Sequence, residues 1–101
     1  MKPIVVHHDA TAELDEPVSY YESQNLGLGL DLLDEVQRAF ALIQEFPKAS
    51  APYKSSRFRR FVLSRFPYSI FYRELTDKLW IAAIAHGKRR PDYWRKRKPG
   101  P

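Results

Sequence analysis

Two groups of cations in the second half of the chain are the residues whose types and spacing could do chemistry. The first group lies on a strand-like segment and the corner after it: Arg57, Arg59, Arg60 and Arg65. The second follows an apolar run and leads into two aromatic residues: Lys88, Arg89, Arg90, Tyr93 and Trp94. Guanidinium forks bind phosphate or carboxylate oxygens, and exposed rings stack on nucleobases. The pattern indicates a face that binds an anionic partner, with a merely solvated basic face as the alternative.

No catalytic or metal-binding motif accompanies these cations. A ribonuclease would need such a patch together with a His, Tyr or Glu to move protons. The chain has no Gly-rich phosphate loop and no nucleophile elbow, and its only histidines are His7, His8 and His86. Without cysteine or a His-x-x-x-His spacing, we predict no metal and no cofactor. His7 or His8 would approach His86 if the first strand lay beside the last.

The charges are divided unevenly along the chain. The net charge is +5, from 17 Lys and Arg against 12 Asp and Glu. Eight of the acidic residues but only two of the basic ones fall within residues 1–44. The second half is therefore strongly basic, which favours nucleic acid or an acidic protein as the partner.

Length and composition limit the class of protein. With 101 residues the chain has room for one domain and a single core. The absence of cysteine suits a reducing cytoplasm. No apolar run approaches the roughly 20 residues that are needed to span a bilayer. We expect one cytoplasmic globular domain with no membrane association.

Apolar periodicity and breaker residues define the elements that must position the cations. Asp9 is the predicted N-cap of the first helix, and Pro17 is expected to kink that helix or make it restart. In chain order, the predicted elements are a strand at 2–8, a helix at 9–22, a break at 23–29, a helix at 30–45, a loop at 47–56 and a strand at 57–63. The loop is expected to be mobile because it is rich in Pro, Ser and Lys.

A hairpin near the C-terminus is the centre of the predicted fold. In its first strand Tyr68, Ile70 and Tyr72 point to one face, and the residues between them point to the other. Residues 76–78 form the turn. The second strand, 79–85, is apolar at every position, which indicates a central strand covered on both faces.

The predicted order of elements is β-α-α-β-β-β. This order is typical of an α+β fold in which a helix hairpin packs on a mostly antiparallel sheet. We assign residues 1–94 to a single domain and residues 95–101 to a short basic C-terminal segment containing Pro and Gly, which we expect to be loose.

Several motifs together resemble the RelE/ParE superfamily of type II toxin–antitoxin toxins. They cover nearly the whole chain in the order of that family: EL-x-E-x-V-x-YYE at 13–22, GLG at 27–29, L-x-EV-x-x-A at 33–39, RFPY-x-I-x-Y at 65–72 and HGKRRP-x-YW at 86–94. The resemblance implies a small cytoplasmic toxin that is held inactive by an antitoxin protein, of which an extended or helical segment binds across the surface of the toxin. It also implies one of two targets, since some relatives cut mRNA on the ribosome and others inhibit DNA gyrase by binding.

The two branches differ in the residues at a few positions. The functional positions of the ribonuclease branch fall in this sequence at Arg60, Val62, Ser69, Arg89 and Arg95. Of these, Arg60 and Arg89 match the residues that the resemblance implies for that branch. Arg95 stands where the branch has its terminal tyrosine, and Tyr93 lies two residues before it. A second ribonuclease pattern, with a carboxylate, a histidine and a tyrosine, would use His86 and Glu45. The incomplete match favours the branch that inhibits gyrase.

The resemblance and the charge pattern together give a set of expected site residues. The target, DNA gyrase or alternatively the ribosome with mRNA, is expected to contact Arg60, Arg65, Arg89, Arg90, Tyr93 and Trp94. If the chain were a ribonuclease, its catalytic residues would be Arg60, His86, Arg89 and Tyr93. The antitoxin is expected to contact Leu32, Ala39, Leu42 and Phe46. A degenerate homologue that acts only as a binding module is the third possibility.

Overall fold

Two helices pack on one face of a five-stranded sheet. The structure, a computed structural model, describes residues 1–99. Its elements in chain order are β1 (Ile4–Val6), α1 (His8–Gln24), α2 (Leu28–Glu45), β2 (Ala51–Pro52), β3 (Arg59–Val62), β4 (Tyr68–Glu74) and β5 (Leu79–His86). The predicted α+β class and the helix hairpin on a mostly antiparallel sheet are confirmed. One short strand, β2, lies in the segment that was predicted to be a mobile loop.

The order of the strands across the sheet is β1-β5-β4-β3-β2. The pairs β5–β4, β4–β3 and β3–β2 are antiparallel, as expected for strands joined by short turns. The pair β1–β5 is parallel, with Ile4 opposite Leu79 and Val6 opposite Ile81. The first strand therefore lies beside the last, and β5 is an inner strand.

The inner strand β5 is covered on both faces, as its apolar sequence predicts. On one face Leu79, Ile81 and Ile84 pack against the helices in a cluster with the buried side of α2. On the other face Trp80 and three alanines pack in a second, mainly aromatic cluster with Phe58, Phe71 and Trp94. The sheet thus separates two cores, and the segment after β5 covers the face that the helices leave open.

An irregularity in the pairing of β4 with β5 changes which way the side chains of β5 point. Phe71 pairs with Ala83, but the next residue, Tyr72, pairs with Ile81, so that Ala82 is an extra residue in β5. Both Ala82 and Ala83 consequently belong to the aromatic cluster. Such a bulge leaves backbone groups that the neighbouring strands do not bind.

The helix termini differ from the sequence prediction. The N-cap of α1 is His7 and not Asp9, because the Nδ1 atom of His7 accepts a hydrogen bond from the Asp9 amide at 3.1 Å. The helix continues through the buried Pro17 without restarting. The second helix begins at Leu28, two residues before the predicted start. Its N-cap is Gly27, whose φ of 90° is accessible to glycine at little cost.

Within the part of the chain that the structure describes, no helix is both long enough and apolar enough to span a bilayer.

Candidate functional site

A cleft opens where β3, β4 and β5 meet the segment that follows β5. Its volume is about 200 Å³. Cationic, aromatic and polar side chains line it together: Tyr53, Arg60, Ser69, Phe71, His86, Arg89, Arg90, Asp92, Tyr93 and Trp94. We call it the cationic cleft.

The three arginines reach the cationic cleft from two parts of the chain. Arg60 is held by β3, where its Nε donates to Ser69 Oγ at 3.0 Å and its guanidinium lies 5.9 Å from the centre of the Phe71 ring. Arg89 and Arg90 follow the end of β5, where the Arg89 amide donates to the His86 carbonyl at 3.0 Å to form a turn. All three side chains belong to exposed residues and remain accessible to a partner.

Tyr93 forms a wall of the cationic cleft and is held at both its ring and its hydroxyl. The Arg89 guanidinium lies 4.0 Å from the ring centre. The hydroxyl donates a short hydrogen bond of 2.5 Å to Glu13 Oε2 on α1. Burial and this bond to Glu13 raise the pKa of Tyr93. The phenol therefore stays neutral at physiological pH and is not available as a base.

Glu13 connects α1 both to β5 and to the segment that follows β5. Besides Tyr93, its carboxylate accepts from the Ile84 amide at 3.0 Å and from both terminal nitrogens of Arg97 at 3.0 and 2.9 Å. Arg97 also donates to the Ala82 carbonyl at 2.9 Å. The bulged part of β5 is thus hydrogen-bonded by two side chains. Burial lowers the pKa of Arg97, but the hydrogen bond to Glu13 and the charges of Glu13, Tyr93 and Asp9 together raise it above its ordinary value.

Asp92 holds the segment that follows β5 to the loop between β2 and β3. Its carboxylate accepts from the Tyr53 hydroxyl and from Lys54 Nζ, each at 2.8 Å. The bonds from Lys54 and Tyr53 lower the pKa of Asp92. Its backbone has φ of 64°, in the left-handed region that Asp adopts more readily than most residues. The Asp92 carboxylate is ionised and accepts two hydrogen bonds. It therefore positions the segment that follows β5 and is not free to take a proton.

His86 is the one histidine that reaches the cationic cleft within residues 1–99. Its Nδ1 accepts from the Lys88 amide at 2.9 Å, and its ring meets the Tyr68 ring edge-on at 5.0 Å. Because Nδ1 is an acceptor here, the neutral ring carries its proton on Nε2. A neutral His86 in this tautomer is a donor toward a ligand.

The expected target-binding residues are only partly brought together. Arg60, Arg89, Arg90 and Tyr93 line the cationic cleft together. Arg65 lies outside it, on the corner before β4, where it pairs with Asp31 at 3.5 Å and covers the Phe66 ring. A shallower depression on that side joins Arg65 to Arg60.

The placement of Trp94 corrects the prediction that it contacts a target. Trp94 is only 1% exposed and stacks on Phe71 with ring centres 4.3 Å apart. It follows the basic residues directly in sequence, but the face of the sheet opposite the helices needs an apolar cover. Trp94 provides that cover.

The expected antitoxin-binding residues on α2 fall on two faces. Leu32 and Ala39 are buried against the sheet and are not available to a partner without rearrangement, which corrects the prediction for these two. Leu42 and Phe46 are about half exposed. Leu42 lines a groove between α2 and β3 that also includes Phe61.

A second cleft, of about 370 Å³, lies between α1 and the end of β5. It shares His86, Arg89 and Tyr93 with the cationic cleft and adds two carboxylates and two further tyrosines: Glu13, Glu16, Tyr20 and Tyr68. Burial raises the pKa of Tyr68. Tyr93 and Arg89 thus stand between two concave surfaces, a relationship that sequence spacing does not reveal.

His7, His8 and Asp9 offer ligand atoms that lie within 4.8 Å of one another. The geometry argues for a helix cap rather than a metal centre, because His7 Nδ1 already accepts the Asp9 amide and Arg97 lies 3.8 Å from the Asp9 carboxylate. The His7 amide bonds the Ile81 carbonyl, five residues before His86. At about 3.3 Å per residue the two histidines are roughly 16 Å apart along the strand, so they do not approach each other as considered above.

At two positions where the ribonuclease branch has cations, Val62 and Ser69, this chain has side chains that cannot bind a phosphate as an arginine would. Val62 is 60% exposed on β3, and Ser69 is buried and hydrogen-bonded to Arg60. Arg95 pairs loosely with Asp92 at 3.8 Å. Glu45 ends α2, whereas His86 lies at the end of β5.

Comparison with known families identifies the class of protein to which this fold belongs. Residues 4–91 match the family described as the ParE toxin of the type II toxin-antitoxin system parDE. Since the match spans most of the chain, this chain belongs to the ParE toxin family, and the resemblance to the RelE/ParE superfamily is confirmed.

Among solved structures, the chain is similar to one described as the chromosomal ParDE TA system from P. aeruginosa. The TM-score is 0.72, with 21% identity over 85% of this chain and 96% of that chain. At this identity the similarity shows the fold alone. A search of curated proteins found no relative of this chain.

Proposed function

We propose that this chain is the toxin of a type II toxin–antitoxin pair and that it acts by binding DNA gyrase in the cytoplasm. The observation that carries the proposal is the cationic cleft, in which Arg60, Arg89 and Arg90 are accessible while Tyr93 is neutral and hydrogen-bonded. Such a cleft can bind an anionic surface, and binding is all that this mechanism requires.

Cleavage of RNA is the second candidate, because Arg60, His86 and Arg89 line the same cleft. A ribonuclease would need a group that takes the proton of the attacking hydroxyl. Tyr93 is bonded to Glu13, and Asp92 is bonded to Tyr53 and Lys54. His86 would have to serve alone, with Val62 and Ser69 where the ribonuclease branch has cations. We therefore place gyrase first. A non-toxic homologue that only binds a partner is the third candidate.

The antitoxin is proposed to cover the exposed apolar side of α2. Leu42 on α2 and Phe46 at its C-terminal end are 49% and 54% exposed. Large apolar residues exposed on one helix favour a protein partner over solvent. The solved ParDE structure is described as a toxin–antitoxin system, which supports a partner of this class for the present chain.

Induction of the chain alone, with two readouts in parallel, tests the choice of target. We expect growth arrest, loss of plasmid supercoiling and induction of the DNA-damage response, with intact transcripts in primer extension. Cuts at codon spacing in translated mRNA, with normal supercoiling, would establish the ribonuclease instead. Normal growth with a folded, expressed chain would identify the binding module.

The double variant Arg89→Ala/Arg90→Ala tests the site. We expect growth arrest to disappear while the variant still binds the antitoxin, because these side chains lie away from Leu42 and Phe46. Undiminished toxicity in a folded double variant would refute the role of the cationic cleft.

A further inference from the structure

We propose that Glu13 is a positioning residue for the cationic cleft, because through Tyr93 it fixes the place of Arg89. The inference rests on the proposed function, in which Arg89 contacts the target. It adds a residue on α1, far from the cations in sequence, to the set that determines target binding.

Arg89 is oriented by its contact with Tyr93. The residue is exposed, and within residues 1–99 its guanidinium forms no ion pair. The contact that orients it is the stacking on Tyr93, with 4.0 Å between the guanidinium carbon and the ring centre. An arginine that is already held in place loses less side-chain freedom when its partner binds.

The Tyr93 ring is held in turn by its hydrogen bond to Glu13. Tyr93 is only partly buried and belongs to a segment of turns rather than to a helix or strand. Its hydroxyl reaches Glu13 Oε2, which fixes the far end of the ring relative to α1. If this bond is removed, the ring can turn about its side-chain torsions and the surface beneath Arg89 moves.

The Glu13 carboxylate is itself fixed by Arg97 and by the backbone of β5. Its side chain is 12% exposed, and both carboxylate oxygens are engaged by Arg97 at 3.0 and 2.9 Å. Oε1 also accepts from the Ile84 amide, which fixes the carboxylate to β5. The order Ile84, Glu13, Tyr93, Arg89 is therefore a continuous series of contacts from the core to the cleft.

The variant Tyr93→Phe tests this series, because it keeps the ring and removes only the bond to Glu13. In the wild type the Arg89 guanidinium lies over the Tyr93 ring, so we expect the NMR signals of the methylene protons next to it to be shifted upfield. We expect Tyr93→Phe to lose most of this shift and to bind purified DNA gyrase about 2- to 5-fold more weakly, as for the loss of an exposed cation–π contact. Glu13→Gln should also reduce the upfield shift of the Arg89 methylene protons.

Tyr72→Phe is the matched control. It also removes one tyrosine hydroxyl hydrogen bond, from Tyr72 to the Pro47 carbonyl at 2.8 Å, but on the helix side of the sheet. We expect this variant to keep both the Arg89 shift and the affinity for gyrase, even if it unfolds at a lower temperature.

The outcomes separate this inference from the function on which it rests. An unchanged Arg89 shift in Tyr93→Phe would overturn the inference. So would a lost shift with unchanged affinity, provided that Arg89→Ala weakens binding. If Arg89→Ala binds gyrase as tightly as the wild type, the proposed function of the cleft fails and the inference fails with it.

Discussion

Gly29 at the start of α2 lies so close to α1 that a Cβ atom added to it would stand 2.2 Å from the carbonyl oxygen of Val18. The same atom would lie 2.9 Å from Cβ of Glu22. The two helices can cross at this distance only because residue 29 has no side chain. The crossing in turn determines how α1 presents Glu13 to β5.

Gly29→Ala should therefore separate the helices and destabilise the fold by about 1–3 kcal/mol or more, as for overpacking in a core. Urea unfolding followed by circular dichroism measures the change. Gly87→Ala is the control, since its added Cβ would meet only the Pro67 carbonyl oxygen, at 3.7 Å. Equal stability of the two variants would contradict the proposed close contact.

Glu22→Gln should lower stability by about 0.5–2 kcal/mol, because Glu22 serves as the anionic cap of α2. Its carboxylate accepts from the amides of Gly27 at 2.7 Å, Gly29 at 3.0 Å and Leu30 at 3.3 Å. Glu45→Gln removes the same charge at the opposite end of this helix and should be neutral or slightly stabilising. Thermal unfolding of both variants checks the difference, and a larger loss for Glu45→Gln would contradict it.

Arg60→Ala should weaken binding of the target by roughly 1.5–3 kcal/mol, the usual contribution of a hydrogen bond to a charged group. In cells the expected result is slower or absent growth arrest at the same expression level. Arg38→Ala is a suitable control, because Arg38 is exposed on α2 and pairs with Asp34 at 3.2 Å. Growth arrest by Arg60→Ala at the wild-type rate would remove Arg60 from the site.

The stability of the chain should fall between pH 7.5 and pH 5 because of His7. Burial, and then the neighbouring charge of His8, lower the pKa of His7 from 6.5, while Asp9 and Glu13 oppose the shift and Arg97 adds to it. The unfolded chain binds the proton more readily, so this contribution is present above pH 6.5 and is lost as the pH falls through the lower, folded value. Protonation also removes the acceptor that caps α1.

Urea unfolding at several pH values measures this dependence. His7→Asn keeps a capping acceptor without the titration and should flatten the profile between pH 5 and 7.5. His8→Asn, at an exposed neighbouring position, should keep most of the slope. If the slope survives in His7→Asn and disappears in His8→Asn, the prediction is contradicted and the pH dependence belongs to His8.

The sequence predicts the elements well where the pattern is local. The apolar run of β5, the hairpin with β4 and both helices follow from periodicity and turn residues, and their boundaries agree within a few residues. The parallel pairing of β1 with β5 joins residues about 75 positions apart. No local pattern encodes such a pairing, so it had to be seen in the structure.

The site is predictable in part for the same reason. Arg60, Arg89, Arg90 and Tyr93 could be found because basic and aromatic residues cluster in sequence. Glu13 could not be found, since its partners lie 71 to 84 residues away. Trp94 stands among basic residues in the sequence, as a surface residue would. Its burial is explained by the need to cover the second face of the sheet.

The two outer strands of the sheet are very short. β1 has three residues, and β2 has two, of which one is Pro52. Another chain that tried to extend the sheet would find few backbone groups to pair with, and a proline offers no N–H at all. A protein with a continuous apolar strand at its centre is thereby protected against the edge-to-edge growth that leads to fibrils.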